Sequence, residues 1–278
     1  MDFIDTHQHL VLRDRLGYRW TADIPVLAAG DFTLADYRAL TQGRGIVGTL
    51  FMETGVDDAD YQSEARLVAG MIGSDGMLGQ IASCRPEAPS IDAWLDEAAG
   101  LGVVGFRRIL HVVPDDVSRE PLFRTHLRAI GRRGLAFDMC FLARQLGLAL
   151  DLARACDDQI LVLDHCGVPD IAGGGFDAWA AGITALAALP HVMCKLSGIT
   201  AYCAPGMASA DVLRPWVDHV LASFGAGRVL WGGDWPVVNL GSGLPAWIDM
   251  TRVLLAGLSQ TEQFAVAQGT ARRVYRLG

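Results

Sequence analysis

Two stretches decide the reading of this chain: Phe3-Ile4-Asp5-Thr6-His7-Gln8-His9 at its start, and Val229-Leu230-Trp231-Gly232-Gly233-Asp234-Trp235-Pro236 far downstream. Successive side chains of a strand point to opposite faces, so Asp5, His7 and His9 are expected to share one face where a first strand ends. Two imidazoles aimed at one point make half of a metal or proton-transfer site. A carboxylate after a late apolar run, Asp234, can supply the opposing base. Such a pairing across the length of the chain calls for a closed parallel barrel, in which first and last strands are neighbours.

The sequence between them supports that reading. Candidate strands fall at Phe3–His9, Ile46–Glu53, Met77–Cys84, Val103–Ile109, Leu135–Phe141, Ile160–Cys166, Val192–Gly198 and Val229–Asp234. Several are nearly continuous Val/Ile/Leu/Phe runs, as in strands covered on both faces. Helical patterns separate them, at Leu34–Leu40, Asp60–Ile72, Ser90–Ala99, Pro121–Gly131, Arg144–Ala155, Phe176–Leu189, Asp211–Phe224 and Ala246–Leu255. Eight alternations predict an α/β (β/α)8 TIM barrel spanning 1–278 as a single domain. A doubly wound sheet is disfavoured because no G-x-G-x-x-G follows the first strand. The Leu10–Thr33 segment is long for a connection after a strand and is expected to cover the active site, as are loops at Gly173–Gly175 and Ala201–Ser209.

Composition excludes several classes. With net charge -8 and no basic run to track phosphates, nucleic acid is not an expected partner. No apolar stretch reaches membrane-spanning length, and no basic, apolar leader precedes Phe3, so a cytoplasmic location is expected. The six cysteines include no C-x-x-C pair and read as buried thiols. Cys166, beside His165, is the one weighed as a nucleophile.

The rim of a barrel formed by strand C-termini is where active sites sit, so strand-end polar residues carry the chemistry. Glu53 reads either as a solvated residue opening a helix or as an inward carboxylate facing His7 and His9. Arg107, favoured over Arg108 because Gly105 and Ile109 share its face, is an inward cation that needs an anion, such as Asp138, or a polarised carbonyl. His165 ends strand six as a ligand or acid/base group, with Asp164 expected to face the helix layer. Lys195, the chain's single lysine, shares a face with Ser197 and is either a Schiff-base nucleophile or a structural cation paired with a barrel carboxylate. Asp234 is the candidate general base. His111, His126, His191 and His219 are expected to have no chemical role.

As a set, Ile4-Asp5-Thr6-His7-Gln8-His9, Gly105-Phe106-Arg107, Leu163-Asp164-His165-Cys166-Gly167-Val168-Pro169, Cys194-Lys195-Leu196-Ser197-Gly198 and Gly233-Asp234-Trp235-Pro236 resemble the amidohydrolase superfamily. Within it they are similar to the predicted metal-dependent hydrolase group of sugar lactonases, L-fuconolactonases foremost. The resemblance implies hydrolysis of a sugar lactone, L-fuconolactone or a related aldonolactone, with catalytic Asp234, His165 and Arg107. It implies substrate contacts at Glu53 and Arg107; Trp20, Lys195 and Trp235 are expected from their own chemistry to hold the substrate as well. Strand five offers no histidine and strand four an arginine, so at most one divalent ion is expected, zinc foremost, held by some of His7, His9, Glu53, His165 and Asp234. Activity without a metal is also allowed. One inward arginine suits a neutral lactone better than a dianionic pyrone. The alternatives are a metal-dependent decarboxylase of the same superfamily, a Schiff-base lyase on Lys195, and a non-catalytic sugar-acid binding protein. The oligomeric state is left open.

Overall fold

The computed structural model describes residues 1–28 and 30–278. Eight parallel strands follow one another in order around a barrel: β1 Phe3–Gln8, β2 Ile46–Met52, β3 Met77–Ser83, β4 Val103–Ile109, β5 Ala136–Cys140, β6 Leu161–Leu163, β7 Val192–Ser197 and β8 Val229–Gly232. Closure between β8 and β1 runs through Asp234 N–H to His7 O (2.7 Å), His9 N–H to Trp235 O (2.8 Å) and Thr6 Oγ1–H to Trp231 O (2.7 Å). The two stretches that open and close the barrel are thus hydrogen-bonded neighbours.

Helices wrap the outside: α1 Pro25–Ala28, α2 Leu34–Thr41, α3 Tyr61–Ala69, α4 Asp92–Ala98, α5 Pro121–Arg132, α6 Leu146–Ala155, α7 Phe176–Ala187, α8 Ala210–Phe224, α9 Leu244–Leu255, α10 Gln260–Phe264 and α11 Thr270–Tyr275. Local chemistry starts several of them. Thr33 and Asp36 cap α2 reciprocally, and Ser259 and Glu262 do the same for α10. Pro121, with its fixed φ and no N–H to lose, opens α5. No helix among the described residues is long and apolar enough to cross a membrane.

Alternation along the strands sorts two cores. Outward residues such as Phe3, Phe51, Phe106, Phe137, Leu161, Cys194 and Trp231 pack against the helices. Inward residues Leu50, Met52, Ile81, Ala136, Val162, Met193 and Leu230 fill the barrel floor, where Val274 and Tyr275 of α11 plug it from below. Both α10 and α11 lie beyond Leu255, where the last expected helix ends.

Two departures from simple alternation shape the site. A register shift in β1 between Asp5 and Gln8 inserts one residue into the ladder against β2. The expectation that Asp5 shares a face with His7 and His9 is thereby corrected. Asp5 turns to α2, where Tyr37 O–H donates to it (2.7 Å) and Gly233 N–H does too (2.7 Å). β6 stops at Leu163, short of Cys166, because His165 and Cys166 have φ of 52° and 53°. Asp164 keeps the inward parity of Val162, and the left-handed turn swings His165 inward as well. The expectation that Asp164 faces the helix layer is thereby corrected.

Candidate active site

At the C-terminal rim lies a cavity of 590 Å³, lined by His9, Glu53, Arg107, His165 and Asp234 from strand ends and by Trp20, Arg85, Arg108, His111 and Tyr202 around them. Asp234 sits at its floor, 1% exposed. Its Oδ1 is 3.4 Å from His9 Nε2 and 3.7 Å from His7 Nε2, and its Oδ2 is 3.8 Å from His165 Nδ1. Asp234 has φ 57°, in the left-handed region. Room for that turn comes from Gly198, itself at φ 56°, since a Cβ there would overlap the Asp234 carboxyl. Non-glycine residues with positive φ gather here: His165, Cys166, Val168 and Asp234 are four of the six among the described residues. Such strain persists only where surrounding structure over-determines it, and it clusters at working sites.

The imidazoles are held in defined tautomers. His9 Nδ1 lies 2.9 Å from Met52 O, so Nδ1 carries the proton and Nε2 offers its lone pair toward Asp234. Ser197 Oγ is 2.9 Å from His165 Nδ1. Burial, with His165 and Lys195 nearby, holds His7 well below the ordinary imidazole range, and burial likewise lowers His165. Both are neutral at physiological pH.

Glu53 and Arg107 form one buried unit. Arg107 Nε donates to Glu53 Oε1 (2.7 Å) and Nη2 to Glu53 O (2.5 Å). Burial alone would raise the Glu53 carboxyl, but the adjacent guanidinium wins and holds it below the usual range. Glu53 therefore does not join a ligand cluster. The partner of Arg107 is Glu53, with Asp164 at 3.5 Å, rather than Asp138.

Lys195 is fully buried and lines no part of the cavity. It pairs with Asp138, lies 3.2 Å from Asp164 Oδ1 and donates to Thr6 O (3.2 Å). Tyr275 O–H from α11 donates to Asp138 (2.9 Å). Of the two readings of Lys195 the structure has the structural cation, sealed between two carboxylates; its expected contact with substrate is corrected, because it has no path to the cavity. Burial pushes Asp138 up to about 7, whereas the Lys195 ammonium, the foremost lowering influence, keeps Asp164 well below the carboxylate range despite its burial.

Trp235 is corrected too. It is 1% exposed, edge-on to Phe32 and Tyr37 behind the rim, and absent from the cavity lining. Trp20, 40% exposed, does face the cavity, its Nε1–H anchored on Thr54 O (2.9 Å). Cys166 is buried with Sγ on Lys195 O, away from the cavity. His111, expected to be idle, lines the cavity 3.5 Å from Cys140 Sγ, and burial together with Arg107 lowers it to about 4. Two further arginines also line it. Arg85 pairs with Asp58 (2.7 Å) and Arg108 with Glu87 (2.5 Å), so each brings its own counter-charge. Arg85 stands just past the end of β3 and Arg108 is next to last in β4, and that rim position was the available sequence signal.

Residues 4–277 match the model of the amidohydrolase family. The chain belongs to that family. This amidohydrolase is similar to an L-fucono-1,5-lactonase of Burkholderia ambifaria, at 31% identity over 85% of this chain and 81% of that one. It is similar to an L-fucono-1,5-lactonase of Burkholderia multivorans at 27% identity, over 99% and 96% of the two chains. Among solved structures it is similar to an amidohydrolase from Burkholderia multivorans with bound zinc, with a TM-score of 0.91, 26% identity and full coverage of both chains.

Among the described residues two groups of side chains could hold an ion: His7, His9 and Asp234, and His7, Asp164 and His165. The first fits better. Ligand atoms about 2.0–2.1 Å from tetrahedral zinc stand about 3.3 Å apart, near the 3.4 and 3.7 Å separations of Asp234 Oδ1 from the two Nε2 atoms. Asp234 Oδ2, like both carboxylate oxygens of Asp164, is buried without a hydrogen-bond partner, so the spacing decides between the groups. In the second group, Asp164 already serves as counter-charge to Lys195.

Proposed function

We propose that this amidohydrolase hydrolyses a sugar lactone, L-fuconolactone or an aldonolactone of related stereochemistry, to the aldonate. The observation that carries the reading is the Asp234 carboxylate at the floor of the cavity, surrounded by three imidazoles, with one oxygen left without a donor. Asp234 takes a proton from water as the water oxygen bonds to the lactone carbonyl carbon. The tetrahedral oxyanion is met by Arg107, while His165, its Nδ1–H on Ser197 O (3.3 Å), walls the carboxylate of Asp234. Collapse breaks the bond to the ring oxygen, and Asp234 returns the proton there. A divalent ion would be held by His9 and Asp234, joined by His7 only where Arg107 gives up the His7 Nε2, and would supply Lewis-acid polarisation of the carbonyl.

The cavity wall suits a neutral ring. The exposed face of Trp20 can cover sugar C–H groups. Arg85 and Arg108 are each paired with a carboxylate, which favours a neutral lactone over a dicarboxylate. Similarity to two L-fucono-1,5-lactonases supports the same substrate class. The test is acid release, read with a pH indicator, across a panel of 1,4- and 1,5-sugar lactones, with a pyrone dicarboxylate and aromatic acids as comparators. Turnover greatest on a sugar lactone is expected. Preference for the pyrone over every sugar lactone, or carbon dioxide release from an aromatic acid as the main activity, would overturn it.

A further inference from the structure

Every nitrogen of Arg107 has a partner. Nε and Nη2 are held by Glu53, while Nη1 lies 3.2 Å from His7 Nε2 and 3.5 Å from Asp164 Oδ2. The guanidinium is 3% exposed. It donates only, and it does not deprotonate in proteins. His7 Nε2 must therefore be the acceptor of that contact. The His7 ring proton then sits on Nδ1, facing Asp164 Oδ1 at 3.6 Å. An imidazole nitrogen has one lone pair, and a metal ion uses the same pair.

We propose that Arg107 is the resident cation of this site and competes with a divalent ion for the Nε2 lone pair of His7, so that the chain binds such an ion weakly. The competition rests on the side-chain geometry and is independent of which substrate is hydrolysed. Two features strengthen it. Arg107 is clamped from three sides, so it cannot swing away without leaving Glu53 as an unpaired buried carboxylate. The bulge in β1 and the backbone contacts of His7 with Asp234 also fix the His7 ring from behind. His9 and Asp234 remain free to ligate, and two ligands hold a divalent ion far less tightly than three.

The test measures zinc affinity, not turnover. Chelator-stripped protein competes with a chromophoric chelator for zinc, and the double variant Glu53→Gln/Arg107→Met is compared with wild type. The double change removes the guanidinium without freeing a carboxylate, which would attract zinc by charge alone. We expect at most one equivalent bound by either protein, with at least tenfold tighter binding by the double variant. Adding His7→Asn should abolish the gain. Equal or weaker binding by the double variant would overturn the proposal, and so would a gain that survives His7→Asn. A second measurement needs no altered core. In metal-free wild-type protein with ¹⁵N-labelled histidine, the His7 ring resonance, assigned by through-bond correlation to its own backbone amide, should report an Nδ1–H tautomer with Nε2 as acceptor. An Nε2–H tautomer would refute the competition even if the variants failed to fold.

Discussion

Replacing Lys195 by Met separates a structural cation from a nucleophile. The ammonium is fully buried and serves Asp138, Asp164 and Thr6 O at once. Removing one partner of a buried ion pair costs about 3–5 kcal/mol, because the remaining charge has no compensation. Unfolding entropy of about 2.1 cal/mol/K per residue, applied to 278 residues, converts this to a fall in Tm of about 5–9 °C. The penalty also depends on pH. Asp138 is raised to about 7 in the folded protein by burial, against the lowering pull of Lys195. A carboxyl with a raised folded pKa loses stability as pH climbs from its unfolded value to its folded one, then levels off. In wild type that window closes near 7. Without the ammonium it extends upward, so Lys195→Met should lose more stability at pH 8 than at pH 6. Urea titrations and thermal melts at both pH values measure this. A Tm within 2 °C of wild type, or a penalty equal at pH 6 and pH 8, would refute the reasoning. So would a borohydride-stabilised substrate adduct on Lys195.

Two further outcomes follow from the same structure. Glu64 is buried beside Glu53, accepts Thr54 N–H (3.0 Å) and is pushed up to about 8 by burial and then by the Glu53 charge. It should therefore cost stability at up to about 1.4 kcal/mol per pH unit as pH rises from its unfolded pKa toward 8, and Glu64→Gln should flatten that slope in urea titrations. Gly198→Ala places a Cβ on the Asp234 carboxyl at a position with positive φ, so lactone kcat should fall at least tenfold; unchanged kcat in folded protein would show that Asp234 does not need this placement.

The barrel was legible because apolar runs of strand length alternate with helical patterns and because both faces of each strand are covered. His7, His9, Arg107 and Asp234 were legible for the same reason: they stand at strand ends, where polar residues interrupt apolar runs. Alternation failed where the backbone departs from a strand. The bulge in β1 sends Asp5 to Tyr37, and the left-handed turn at His165 lets Asp164 and His165 both face inward. Neither event has a glycine or proline at the residue concerned to announce it. The fate of Lys195 depends on Asp138, 57 positions away, and on Tyr275 from α11. Such long-range pairing has no local signature. Trp235 illustrates the opposite error, in which adjacency to Asp234 suggested ligand contact while its ring packs behind the rim.

Asp234→Asn is the most direct test of the central claim that this amidohydrolase uses Asp234 as the base in lactone hydrolysis. The amide keeps the shape of the carboxylate but cannot take a proton, and loss of a positioned base typically costs about 10²–10⁴ in rate. On the sugar lactone that wild type turns over best, kcat of the folded variant should fall at least about a hundredfold, with KM little changed. A kcat within tenfold of wild type would contradict the account.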